Sequence, residues 1–122
     1  MNDTTGTSLN TVSVTVAPDG SGGVTITCTP SPVHVGVHNT VITFSLDTPG
    51  YNFRAANAIV LAAPSPDFPY PARTVKPTMA TLLDLCNTID TFKYSVFIVD
   101  TATGIGYDVD PEIKNGDASC AP

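Results

Sequence analysis

A chain of 122 residues with 11 acidic and 5 basic side chains, a net charge of −6 and 3 cysteines is one domain's worth of polypeptide, long enough to bury a core without structural metal or a disulfide framework. No Lys or Arg precedes Arg54, so the chain lacks the phosphate-neutralising surface that nucleic acid requires. No apolar run reaches the ~18–20 residues of a membrane-spanning helix either. Every acid except Glu112 is Asp; together with the Thr, Gly and Pro content, which suits turns and strands better than helix interiors, this points to an all-β protein.

In chain order, residues 1–10 (MNDTTGTSLN) are small and polar and lack the basic and apolar stretches of a secretory signal. They are expected as a flexible leader, and the chain as cytoplasmic. TVSVTVAP then alternates, with Val12, Val14 and Val16 on one face; after the turn DGSGG, VTITCT repeats the pattern through Val24, Ile26 and Cys28. Two half-buried strands joined by a glycine-rich hairpin follow from that. Pro30 and Pro32 make TPSPVHVGVHN a connection or an irregular edge, and TVITFSL turns Ile42, Phe44 and Leu46 inward. Beyond the turn DTPG come Tyr51 and Phe53 and the run Ile59-Val60-Leu61, a candidate strand.

The segment 64–77, with Pro64, Pro66, Pro69, Pro71 and Pro77, is expected as an extended surface loop. In TMATLLDLCN, Met79, Leu82, Leu83 and Cys86 fall near helical spacing and Thr78 follows Pro77 as a cap, so one short helix is expected there. FKYSVFIV is apolar on both faces and reads as the central strand. DTATGIG turns the chain back into a last strand, IGYDVDP, with Pro111 at an edge or exit and Asn115-Gly116 opening a loose tail.

Turn signals every 8–15 residues or so make this an immunoglobulin-like β-sandwich of about seven strands with one short helix before its central strand, spanning residues 11–116 with a flexible tail at 117–122. Asp90-Thr91-Phe92-Lys93-Tyr94-Ser95-Val96 resembles the run that enters strand F of immunoglobulin-type domains, where the tyrosine hydroxyl forms a tyrosine corner. Cys28 would take the place of the partner cysteine, but Val96 replaces the other, so the inter-sheet disulfide is absent. TFKYSVFIVDTATGIGYDVDPEIKNG, residues 91–116, together with the overall length, resembles the DP-EP family of small bacterial proteins, although the Glu-Pro dipeptide is missing. That resemblance implies no activity, cofactor or catalytic residue.

Candidate chemistry is sparse. His34 and His38 lie four apart in an extended segment, some 13 Å along it, too far for one metal ion, and neither His nor Met closely follows Cys86 as a blue-copper site requires. Cys28 and Cys86 read best as buried structural thiols. The odd cysteine count without CxxC spacing argues against a disulfide framework or a zinc knot, and leaves open one bridge such as Cys86–Cys120. There is no GxSxG, no early lysine for an isopeptide bond and no Trp for sugar stacking. What remains is Phe68, Tyr70 and Arg73 in the proline-rich loop, a small sticky platform unless the aromatics only pin the loop to the sheet.

The final hairpin carries Asp100, Asp108, Asp110 and Glu112. In a regular strand the last three stand about 6.6–7 Å apart, wider than the ~5 Å two oxygens span around Ca²⁺, so a solvated acidic strand end is the favoured reading and Ca²⁺ the alternative. The expected function is non-enzymatic: a binding or structural module without cofactor, acting through a protein partner or self-association, by the proline-rich loop or an edge strand. No nucleic acid or membrane partner is expected.

Overall fold

The computed structural model describes residues 8–116, and every regular element within them is a strand. The eleven strands are β1 (Ser8–Pro18), β2 (Val24–Thr29), β3 (Val33–Val35), β4 (Thr40–Leu46), β5 (Tyr51–Phe53), β6 (Ile59–Leu61), β7 (Arg73–Lys76), β8 (Met79–Asp84), β9 (Asp90–Asp100), β10 (Gly106–Val109) and β11 (Glu112–Asn115). One sheet runs β2-β1-β4-β8-β7; the other runs β10-β9-β11-β3, with β5 and β6 along the opposite side of β9. Both are mixed, because β1 pairs with β4 and β11 with β3 in parallel. The inner faces meet in one apolar core, in which the Phe44 and Tyr94 rings lie 5.5 Å apart.

Alternation builds most of this. Val12, Val14, Ile42, Phe44, Ala80 and Leu82 point inward from the first sheet and Tyr94, Val96, Ile98 and Ile113 from the second, all at 0–1% exposure. Of the residues expected in the core, Val14, Val16, Ile26, Phe44, Tyr94, Val96 and Ile98 are buried, and Val24 is half-buried at the margin. Cys28 is a buried free thiol as its register requires, and burial pushes its pKa up to about 11.

The immunoglobulin-like reading, seven strands and a helix, does not hold. The stretch expected as a helix is β8, hydrogen-bonded to β4 on one side and β7 on the other. Its sequence suits either period, but only period 2 sends Ala80, Leu82 and Asp84 to the core together, and pairing on both edges overrides the helical spacing of its apolar residues. Thr78, expected as the cap, lies in the turn before β8, and its carbonyl accepts the Leu46 N–H at 2.9 Å. The added strands are short ones, β3, β5, β7 and β11, in stretches whose prolines and turns suggested connections, while the candidate strand Ile59-Val60-Leu61 is β6. The tyrosine corner is absent too: the Tyr94 hydroxyl is buried with no hydrogen-bond partner, and burial raises its pKa.

β1 opens at Ser8, inside the stretch expected as a leader, while the tail at 117–122 lies outside the described residues. Pro111 follows the end of β10, but the chain does not leave the sheet there. β10 and β11 run along β9 in one unbroken register, Val109 opposite Val96 and Glu112 opposite Lys93. Pro111, buried between them, lacks the N–H that would complete the ladder, yet its carbonyl still accepts the Tyr94 N–H at 3.0 Å. Asn115, expected to open a tail, is 1% exposed at the end of β11. Cys86 is not a thiol but disulfide-bonded; Cys120, the partner considered for it, lies outside the described residues.

Candidate binding surface

Between β6 and β7 the chain crosses the surface as residues 62–72, where prolines leave few N–H groups with which to hold the loop down. Ser65 starts the anchorage: its carbonyl accepts the Phe68 N–H at 3.0 Å and its hydroxyl the Asp67 N–H at 3.2 Å. That turn sends Asp67 inward to 1% exposure. Its carbonyl takes the Leu85 N–H at 2.8 Å, and its carboxylate takes the Asn87 N–H and the Asn115 side-chain amide, both at 3.1 Å.

The same Asn115 amide donates to Asp84 at 3.0 Å, and Asp84 also accepts the Cys86 N–H at 2.9 Å. Cys86 adopts φ +54° there, in the left-handed region. Loop, β8 and β11 are thus tied by one buried polar knot. Two carboxylates share one amide, and two acceptor atoms, Asp84 Oδ2 and Asn115 Oδ1, have no hydrogen-bond partner. Burial pushes the Asp84 carboxyl up to about 6; bonds from Asn115 and Cys86 oppose the rise and the Asp67 charge adds to it.

A buried carboxylate pair with one raised pKa invites comparison with a catalytic dyad. Among the described residues, the two clefts beside the loop are lined by neither Asp67 nor Asp84. The bonds of both carboxylates tie the loop to β8 and β11.

The second anchor is Phe68, half-buried with its ring edge-on to Phe92 of β9 at 5.0 Å. Two residues on, Tyr70 is 66% exposed between the exposed Pro69 and Pro71. Phe68 and Tyr70 line one cleft of about 280 Å³ with Ile59, Val60, Leu61 and Leu82; a second of about 560 Å³ opens beneath Ala62–Pro66 toward Asp90 and Lys93. Of the three residues singled out in the sequence, Phe68 pins, Tyr70 projects, and Arg73 stands exposed on β7 outside that cleft.

The acidic hairpin is engaged in its own structure. Asp100 accepts the Ala102 N–H at 2.8 Å in the turn, Asp110 accepts the Ser95 hydroxyl at 2.7 Å, Glu112 faces Lys93 across the ladder, and Asp108 is exposed. Among the described residues no group of three or more His, Cys, Asp or Glu is placed to hold a metal ion, and His34 and His38 are both exposed.

The knot escaped the sequence reading. Its one local signal was Asp84 continuing the inward series Ala80, Leu82, which a strand assignment for that stretch exposes. No family model matches the chain, and no curated protein matches it. Among the described residues no helix is long and apolar enough to cross a membrane.

Proposed function

We propose that this all-β domain is a non-enzymatic binding or structural module that works through protein contacts, with the pinned proline-rich loop as its contact surface. The observation that carries this reading is the pairing of opposite treatments two residues apart. Asp67 and Phe68 fix the loop from beneath, while Tyr70 stands 66% exposed over an apolar cleft, with Val60 and Val75 also exposed nearby in sequence to its flanking strands. An aromatic held out on a rigid backbone loses little conformational entropy on binding, which suits protein recognition. Kinship with the DP-EP family belongs to the same proposal and rests on residues 91–116.

Basic side chains of the kind that serve a polyanion are scarce and partly engaged, which favours a protein partner. Arg54 stacks over Phe97 at 3.8 Å and donates to the Ala56 and Asn57 carbonyls. The disulfide at Cys86 favours an oxidising compartment over the cytosol as the working environment.

Comparative capture from the native cell tests the reading. Wild-type protein is expected to retain a specific partner that Tyr70→Ala and Arg73→Glu lose at unchanged melting temperature. Equal retention by all three proteins would remove the loop from the argument.

A further inference from the structure

The sheet edges of this molecule are not treated alike. β7 carries Arg73 and Lys76 and an irregular register between Thr74 and Lys76. β3 is three residues long and follows Pro30 and Pro32; β5 and β6 are equally short, and β10 presents the exposed Asp108. Charge, proline, irregularity and brevity are the devices that keep a strand edge from pairing with another chain. β2 has none of them. Its six residues, VTITCT, carry no charge and no proline, and among the described residues they pair in unbroken register with β1 alone.

The direction of its backbone groups follows from β1. The Val16 N–H donates to Thr48 Oγ1 at 2.9 Å, and the Val14 carbonyl accepts the Asp47 N–H at 2.9 Å, both on the side away from β2. Backbone groups alternate sides along an antiparallel ladder, so Ser13, Thr15 and Ala17 bond toward β2, to Thr29, Thr27 and Thr25. The N–H and C=O groups of Val24, Ile26 and Cys28 therefore point outward, and among the described residues nothing bonds to them. β10 of the facing sheet passes close by without pairing.

We propose that β2 is the seam of a homodimer, in which two copies pair β2 antiparallel to β2 about a two-fold axis and join their β2-β1-β4-β8-β7 sheets into one. An antiparallel strand edge is self-complementary, each outward N–H meeting a carbonyl of the other copy, as an isologous interface requires. For a chain of net charge −6, this neutral edge lets a second copy approach without opposing like charges. The exposed face of the seam is Thr25, Thr27 and Thr29, and threonines pair favourably across strands. Beneath it, Ile26 and Cys28 keep 9% and 7% exposure and Val16, opposite Ile26, 8%, where Val12 and Val14 have 0%, so the core thins toward β2 and a neighbouring strand would close it. The seam is on a different strand from the proline-rich loop and stands independently of the function proposed for that loop.

Light scattering on size-exclusion fractions over a wide concentration range, combined with amide hydrogen exchange, tests this. The wild type is expected to reach dimer mass with the Val24, Ile26 and Cys28 amides protected. The double variant Thr25→Lys/Thr27→Lys should be a monomer in which those three amides exchange quickly, with unchanged circular dichroism and a melting temperature that no longer depends on concentration, while Tyr70→Ala remains a dimer. A wild type that stays monomeric at every concentration, or a dimer that survives both lysines, would overturn the seam.

Discussion

Tyr94 brings its ring to the centre of the core and leaves its hydroxyl there without a partner. A buried polar group left unbonded costs about 1–3 kcal/mol, while the ring contributes apolar packing against Phe44. Tyr94→Phe removes the hydroxyl and keeps the ring, so it should be neutral or stabilising by about 1 kcal/mol in urea unfolding; a clear loss of stability would reveal a partner for the hydroxyl. Asp84 makes a sharper case. Its carboxyl, ordinarily near 3.8, is raised to about 6, so the folded chain holds that proton more tightly than the unfolded chain. The resulting stability is fully present below the unfolded value, is lost as the pH rises toward the folded value, and is level above it. Two units or so correspond to on the order of 3 kcal/mol. Asp47 runs the other way: the Ser13 and Ser45 hydroxyls hold its carboxyl below its ordinary value, and its stabilisation, small because the group is exposed, fades only as the pH falls. Urea midpoints between about pH 4 and pH 8 for the wild type and Asp84→Asn isolate Asp84. The wild type should lose stability relative to the variant as the pH rises, and parallel curves would show that Asp84 titrates normally.

At the scale of elements, the proline-rich loop is held by Asp67 and by the Phe68–Phe92 contact, and the two anchors are separable. Phe68→Ala should cost about 2–3 kcal/mol as a half-buried aromatic truncation and speed proteolytic cleavage within residues 62–72, while the rest of the chain stays resistant. Uniform cleavage would mean that Phe68 supports the whole fold and not the loop. The strands that the sequence announced by strict alternation or dense β-branched residues were β1, β2, β4 and β9, with β6 as a candidate and β10 inside the last strand read at IGYDVDP. β8 was misread because Met79, Leu82, Leu83 and Cys86 satisfy a helical stripe as well as Ala80, Leu82 and Asp84 satisfy a strand face, and only its neighbours decide between them. The three-residue strands β3 and β5 exist because longer partners offer them a ladder, which no local pattern can report; β6 was visible as the apolar run Ile59-Val60-Leu61. Phe68 and Tyr70 were legible as a pair of loop aromatics. Their division into anchor and projection was not, because it depends on Phe92 from another strand. Asp67, Asp84 and Asn115 meet from a loop and two strands, and each alone looks like an ordinary polar residue.

For the molecule as a whole, the order of strands in the second sheet differs from their order in the chain. β11 lies between β9 and β3, and among the strands described β3 is paired with β11. Val33 of β3 meets Ile113 of β11, so one of the first ladders in sequence waits for one of the last. Pairings of such sequence separation slow folding toward milliseconds to seconds, and stopped-flow refolding should fall in that range; refolding in microseconds would point to a local nucleus that the topology does not offer. The same arrangement governs synthesis. As the chain leaves the ribosome, β1, β2, β4 and β8 can assemble in turn, but Val33 and Val35 have no ladder, Asp67 and Asp84 have no amide to share, and the Phe92 end of β9 has one bare edge until Glu112–Asn115 has emerged. β11 is a keystone: until it has emerged the nascent domain is an unfinished arch, and a product stalled or cut short before it would display an open sheet to its neighbours at the moment it is most crowded by them.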